Sequence, residues 1–165
     1  MRWLLFVLSV LAAPQAAAIW PFASNDDENA GWVELDAVTP AYPKPADLVE
    51  FSVSGATSNR FLIDVSTISI GNDGVVRYVL VVRSAGGAEN VSFEGIRCAT
   101  REQKSYAFGQ RNATWSPARE PQWRFIEMKD INRQHVVLFA DFFCYEGKRP
   151  PRTVRDIAQR LRYGH

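Results

Sequence analysis

From Leu48 onward the hydrophobic positions fall mostly at period two, the repeat of a strand that buries one face. Leu48–Val53, Arg60–Ile70, Val75–Arg83, Asn90–Cys98, Lys104–Gln110 and Gln122–Met128 are rich in β-branched and aromatic residues, and each predicts a strand. Within Val75–Arg83, Val76, Tyr78, Leu80 and Val82 share one face while Val75, Val79 and Val81 take the other. Being apolar on both faces, it is expected at the centre of a sheet. The turn signals Gly71-Asn72-Asp73-Gly74 and Ser84–Ala88 leave no room for crossovers, so the neighbours should pair antiparallel.

The period changes after Asp130. Ile131, His135, Leu138 and Phe142 recur at helical spacing, and Val136, Val137, Phe139 and Phe143 broaden the apolar side, which predicts a mostly buried helix over Asp130–Cys144. The Val and Phe content would also suit a strand, but the length favours a helix. Gly147 and Pro150-Pro151 end it. Thr153-Val154-Arg155-Asp156 then reads as a capping box opening a short basic helix with Ile157 and Leu161 as its apolar seam. The expected fold class is α+β: an antiparallel meander sheet of five or six strands followed by two helices.

The N-terminus departs from both periods. A basic start at Arg2, an apolar run Leu4–Ala13 and the small residues Ala16-Ala17-Ala18 predict a signal peptide over 1–18, cleaved after Ala18. The run is too short for a membrane span, which needs roughly twenty apolar residues, so no transmembrane segment is expected in the mature chain. Residues 19–46 read as an extended leader, acidic at Asp26-Asp27-Glu28 and interrupted by Pro21, Pro40, Pro43 and Pro45. Trp32, Val33 and Leu35 give it apolar anchors. Residues 47–165 form a single expected domain. Export places the chain in an oxidising compartment, where the even pair Cys98 and Cys144 predicts a disulfide. It would close a loop of roughly 47 residues, an effect of about 4 kcal/mol in the chain-entropy model.

The chain has 165 residues, 47% hydrophobic and 22% charged, with 19 Lys+Arg against 18 Asp+Glu. These figures argue against a collagenous, disordered or polytopic membrane chain, and the near-zero balance argues against a nucleic-acid partner. The balance is uneven along the chain. Residues 19–70 carry eight acids and two bases, whereas residues 71–165 carry ten acids and sixteen bases. Lys148–His165 holds six bases and one acid, Asp156. This basic end suits an anionic envelope component or an envelope protein as partner; attraction to the acidic leader, or a solvated helix face, would also account for it.

Familiar catalytic signatures are missing. His135 and His165 are the only histidines, no Gly-x-Ser-x-Gly elbow occurs, and no Cys/His spacing matches a zinc site. No motif implies a cofactor or metal. His135, beside Val136-Val137, reads as a packed helix histidine. Arg111, Trp115, Arg119 and Trp123 recur every four residues, but Pro117 and Pro121 forbid an unbroken helix between them. Trp and Arg are enriched at binding hot spots, so these four are candidate binding residues; the alternative is that the indoles plug the core while the arginines snorkel. A second cluster is Glu94, Arg97, Arg101 and Tyr106. Glu94 and Arg97 fall on opposite faces of a regular strand, which argues against their pairing.

Asn90-Val91-Ser92-Phe93-Glu94-Gly95-Ile96-Arg97-Cys98, followed by Tyr106-Ala107-Phe108-Gly109 and Trp115, resembles the cryptic neisserial protein family of small exported bacterial proteins. Tyr78–Arg83, Trp123-Arg124, Asn132-Arg133 and Phe143-Cys144 extend the resemblance, and Glu94-Gly95-Ile96-Arg97-Cys98 is its most specific block. It covers the chain from about Leu48 to the C-terminus and leaves the acidic leader outside. It implies a periplasmic or surface location and no particular activity, and it marks Arg97, Tyr106 and Trp115 as part of a family pattern. The expected function is a non-enzymatic periplasmic binding or accessory module. The alternatives are an envelope glycan hydrolase using paired carboxylates and a structural module that pairs through an open sheet edge.

Overall fold

The computed structural model describes residues 31–53, 57–127 and 133–164. The predicted signal peptide, the start of the leader and the first residues of the predicted helix, Ile131 among them, lie outside the described residues. Seven strands form one antiparallel sheet: β1 (Leu48–Phe51), β2 (Arg60–Ile70), β3 (Val75–Arg83), β4 (Glu89–Arg97), β5 (Glu102–Gly109), β6 (Trp115–Pro117) and β7 (Arg124–Phe125). Their order is β1-β2-β3-β4-β5-β6, with β7 also pairing β5.

The meander is the expected one, with one strand more than the upper expectation. The difference lies after β5. The expected strand Gln122–Met128 contracts to Arg124–Phe125, and an additional short strand forms at Trp115–Pro117. Both lie along the same edge of β5 at different heights: β6 pairs with Ala107–Gly109 and β7 with Glu102–Gln103. Pro117 and Pro121 lack the N–H that a longer ladder needs, so pairing here is confined to short edge pieces.

β3 is buried along both faces, as its sequence predicts. Val76, Tyr78 and Leu80 join Phe51, Phe61, Ile63 and Ile96 against the helical layer, where Leu138, Phe139, Phe143, Ile157 and Leu161 complete the core. Val79 and Val81, on the opposite face, pack with Leu62, Val91, Phe93 and Ala107. Each such side chain is worth about 2 kcal/mol when buried, so this second face also needs a cover. Residues of the leader supply part of it, with Ala37 and Tyr42 packed there beside Trp115.

The predicted long helix is irregular. α1 (Arg133–Val137) runs into a wide π-helical turn over Leu138–Phe143, closed by the Cys144 N–H donating to the Phe139 carbonyl at 3.1 Å. The wider turn changes the phase of the helix just before Cys144. Phe143 is fully buried, its ring 4.8 Å from that of Tyr78. Cys144 forms the disulfide with Cys98, Cα to Cα 5.4 Å, a normal span for the bond. α2 (Val154–Tyr163) opens with the capping box: Thr153 Oγ1 accepts from the Asp156 N–H and the Asp156 carboxylate accepts from the Thr153 N–H, both at 3.2 Å. Ile157 and Leu161 are its buried seam. Gly31 onward forms one compact unit. Among the described residues no helix is long and apolar enough to cross a membrane.

Candidate functional site

Strand alternation turns the block Glu94–Cys98 into a two-sided device. Ile96 and Cys98 point with Glu94 into the helical core, while Gly95 and Arg97 face the leader. The Glu94 carboxylate is buried and accepts from Tyr78 Oη at 2.9 Å and Ser92 Oγ at 2.7 Å, with His135 Nε2 at 2.8 Å. Burial alone would raise its pKa. The His135, Ser92 and Tyr78 contacts outweigh that and hold it below the usual carboxylate range. His135 is thus a packed histidine tied to the sheet, and Glu94 pairs with it rather than with Arg97.

On the other face, Gly95 is required by close approach. A Cβ there would sit 2.7 Å from Tyr106 Oη and 3.0 Å from Val75 Cγ1. The Tyr106 ring lies over this gap, 5.2 Å from Phe93. Its hydroxyl donates to Glu34 Oε1 at 2.8 Å. Glu34 Oε2 accepts from Lys104 Nζ at 2.7 Å and from Trp123 Nε1 at 3.1 Å. Burial works against the Glu34 charge, but these three donors outweigh it and lower the pKa. Tyr106 shifts the opposite way, well upward, through burial and its bond to Glu34.

A second clamp holds the neighbouring backbone. Asp73 Oδ2 accepts from the Leu35 N–H at 2.9 Å, Arg77 donates to the Leu35 carbonyl at 2.8 Å, and Arg77 and Asp73 pair at 2.6 Å. The Trp32 indole donates to the Asp73 carbonyl at 2.8 Å. Its ring lies 3.7 Å from the Arg97 guanidinium and 6.0 Å from the Trp123 ring, a cation–π stack closed by an aromatic edge. Asp73 is nearly fully buried; the Arg77 pairing and two backbone donors override the effect of burial and lower its pKa.

The structure therefore brings Arg97, Tyr106 and Trp123 together, and all three hold the segment from Trp32 to Leu35. Trp115 stands nearby, half-buried. It donates to the Pro40 carbonyl at 2.9 Å and packs 5.3 Å from the Tyr42 ring. The arginines of the four-residue repeat go elsewhere. Arg111 is exposed in the turn before β6. Arg119 is exposed and lines a different cavity of about 420 Å³ with Gln103, Phe108 and Arg124. Arg101, in the β4–β5 turn, lies between the rings of Phe125 and Phe139 at 5.5 and 5.4 Å. Of the expected leader anchors, Trp32 does pack onto the strands, whereas the side chains of Val33 and Leu35 are exposed and only the Leu35 backbone is held; Glu34, Asp73, Arg77 and Lys104 were not among the expected contacts. The opposed charges of the leader and the later chain were the available signal, and Glu34 with Lys104 is one place where they meet. A cavity of about 540 Å³ remains between this segment and the sheet, with Glu34, Thr39, Lys104, Tyr106, Trp115 and Pro121 on its wall.

A further concavity, about 890 Å³, lies between α2 and the turn that follows the disulfide. The turn is set by backbone bonds between Tyr145 and Arg149 and by Gly147, whose φ of +68° favours glycine. Tyr145, Arg149, Pro150 and Arg152 form one wall, and Asp156, Arg160 and Tyr163 of α2 the other. Arg160 lies 5.6 Å from the Tyr145 ring centroid. Among the described residues no group of three or more His, Cys, Asp or Glu side chains is placed to hold a metal ion.

Sheet, helical layer, disulfide and the two-sided Glu94–Cys98 block define an α+β unit in which the segment around Trp32–Tyr42 straps the second face of the sheet. The chain belongs to the CNP1-like family, whose model matches residues 27–162. That match begins inside the acidic leader, so the family pattern extends further toward the N-terminus than the expected limit near Leu48, in keeping with the contacts of Trp32 and Glu34. The chain is also similar to Cryptic neisserial protein 1 of Neisseria gonorrhoeae (strain ATCC 700825 / FA 1090), 28% identical over 116 residues, covering 62% of this chain and 56% of that protein. It thus spans little more than half of that relative's length. No solved structure matches it.

Proposed function

We propose that the protein is exported to the periplasm and acts there as a non-enzymatic binding or accessory module. The observation that carries this reading is the geometry that ties Glu34, Asp73 and Glu94 to donors of the strap, sheet and helix. A glycan hydrolase with two carboxylates needs one carboxyl whose pKa is raised so that it can act as an acid. Glu34, Asp73 and Glu94 are all shifted downward, each by donors that also hold the fold together. Their chemistry is spent on fastening strap, sheet and helix. The concavities also present Arg149, Arg152, Arg160, Tyr145 and Tyr163 in one place and Lys104, Tyr106 and Trp115 in another, residues suited to recognition. The signal-peptide pattern and the disulfide support the compartment.

Cross-linking the full chain in the periplasm of its host, followed by mass spectrometry, tests the reading. Recovery of a reproducibly enriched protein or glycan is expected. Recovery of none would count against binding, and release of soluble fragments from purified peptidoglycan by the protein would replace it with the hydrolase.

A further inference from the structure

We propose that the groove between α2 and the Tyr145–Arg149 turn is a binding site for a phosphate-bearing ligand, a claim that rests on the binding-module reading and gives it a site. Three arginines line the groove, Arg149, Arg152 and Arg160, against a single acid, Asp156. That acid is already committed, because its carboxylate accepts the Thr153 N–H in the α2 capping box. Among the described residues no ion pair engages any of the three arginines, although Arg160 rests near the Tyr145 ring. Three guanidiniums offer more forked donors than one carboxylate can accept, whereas a phosphate presents several oxygens.

The surroundings fit a ligand with an organic portion attached. Tyr145 and Tyr163 stand 43% and 82% exposed at the rim, beside Pro150 and Pro151. Such faces cover sugar or glycerol carbons while the arginines hold the anion. The volume, about 890 Å³, is that of a small-molecule site rather than a flat protein contact. The apolar seam of α2, Ile157 and Leu161, is buried in the core, so this helix has no apolar face left to insert into a bilayer. What this end offers a ligand is therefore its cations, three of which the groove gathers. The walls are braced: Cys144, one residue before Tyr145, is bonded to Cys98, the residue that follows β4. A phosphate of this kind occurs in lipid headgroups and in soluble phosphate esters, and the groove recognises what the two share.

The test uses the mature protein and two double variants with equal loss of charge. R152Q/R160Q removes groove cations; R155Q/R162Q removes exposed cations of the same end that do not line the groove. Binding is measured to vesicles of phosphatidylglycerol, with phosphatidylcholine as the neutral control, and to soluble glycerol phosphate. Thermal unfolding shows that both variants remain folded. The expected result is binding to at least one phosphate probe, weakened at least about tenfold in R152Q/R160Q and by less than about threefold in R155Q/R162Q. Binding to vesicles without binding to glycerol phosphate assigns the source to lipid, and competition by glycerol phosphate assigns it to a soluble ester. Equal weakening in both variants overturns the groove in favour of bulk charge. Binding to neither probe overturns the proposal, as does groove-dependent binding of polyglutamate alone. A partner captured by cross-linking elsewhere on the surface would leave the binding-module reading standing while this site falls.

Discussion

Glu34 and Lys104 lie 70 positions apart in the chain and meet at 2.7 Å. Around that contact the N-terminal strap is fastened to β5, with Tyr106 and Trp123 donating to the same carboxylate. The strap covers a sheet face that would otherwise expose Val79, Val81, Val91 and Phe93.

Replacing Glu34 with Ala removes three charge-assisted hydrogen bonds. We expect a loss of about 2 kcal/mol in urea unfolding and a change in tryptophan fluorescence, because Trp32 and Trp123 share the strap contact. Unchanged stability and emission would show that the strap is held by packing alone.

Acid should loosen the same contact. The folded-state pKa values of Glu34 and Asp73 are lowered, so their contributions are complete above the unfolded carboxylate range of about 4 and fade as pH falls through the lowered values. Protease cleavage near residues 31–40 is expected to rise in that acid window, and Glu34→Gln should already show part of the increase at neutral pH. A cleavage rate flat from neutral pH down into acid would refute this.

Beneath the sheet, Glu94 and His135 should be energetically coupled. His135→Ala deprives a buried carboxylate of its partner and is expected to cost about 3 kcal/mol. Glu94→Gln in the same background should cost less than it does alone, with a coupling of about 1 kcal/mol or more in a double-mutant cycle. Additive losses would mean that the two groups are merely neighbours.

Gly95→Val places a side chain where Tyr106 Oη and Val75 already stand at 2.7 and 3.0 Å. Overpacking of this kind costs about 1–3 kcal/mol, and here it also pushes Tyr106 away from Glu34. The variant should therefore reproduce the strap loosening of Glu34→Ala as well as lower the melting temperature. Wild-type protease resistance at 31–40 would rule out the link between Gly95 and the strap.

The disulfide is tested by thiol titration: the native protein should show none and the reduced, unfolded chain two. Cys98→Ala with Cys144→Ala is expected to cost about 2–5 kcal/mol. The turn at Tyr145–Arg149 should gain hydrogen exchange first, because it directly follows Cys144.

The order of strands was legible because period-two patterning and turn residues are local properties. β2 and β3 match their expected bounds, β1 falls within its own, β5 begins two residues before the expected Lys104, and the α2 capping box needs only four adjacent residues. The opposite facing of Glu94 and Arg97 followed from alternation alone. Other features depend on partners far away in the chain, and no local pattern encodes them. β6 and β7 exist because β5 offers them an edge. The π-helical turn gives the helix the phase at which Cys144 meets Cys98. Trp115 and Trp123, spaced like a binding face with Arg111 and Arg119, are drawn from those arginines by bonds to Pro40 and Glu34. Sequence by itself determined the local conformations and which side each residue faces, since those follow from backbone sterics and periodicity. Only the tertiary structure decided that the described part of the leader, from Trp32 on, is a strap and that the basic end is a groove, since both arise where segments 40 to 90 residues apart, or a turn and a helix, close around one another.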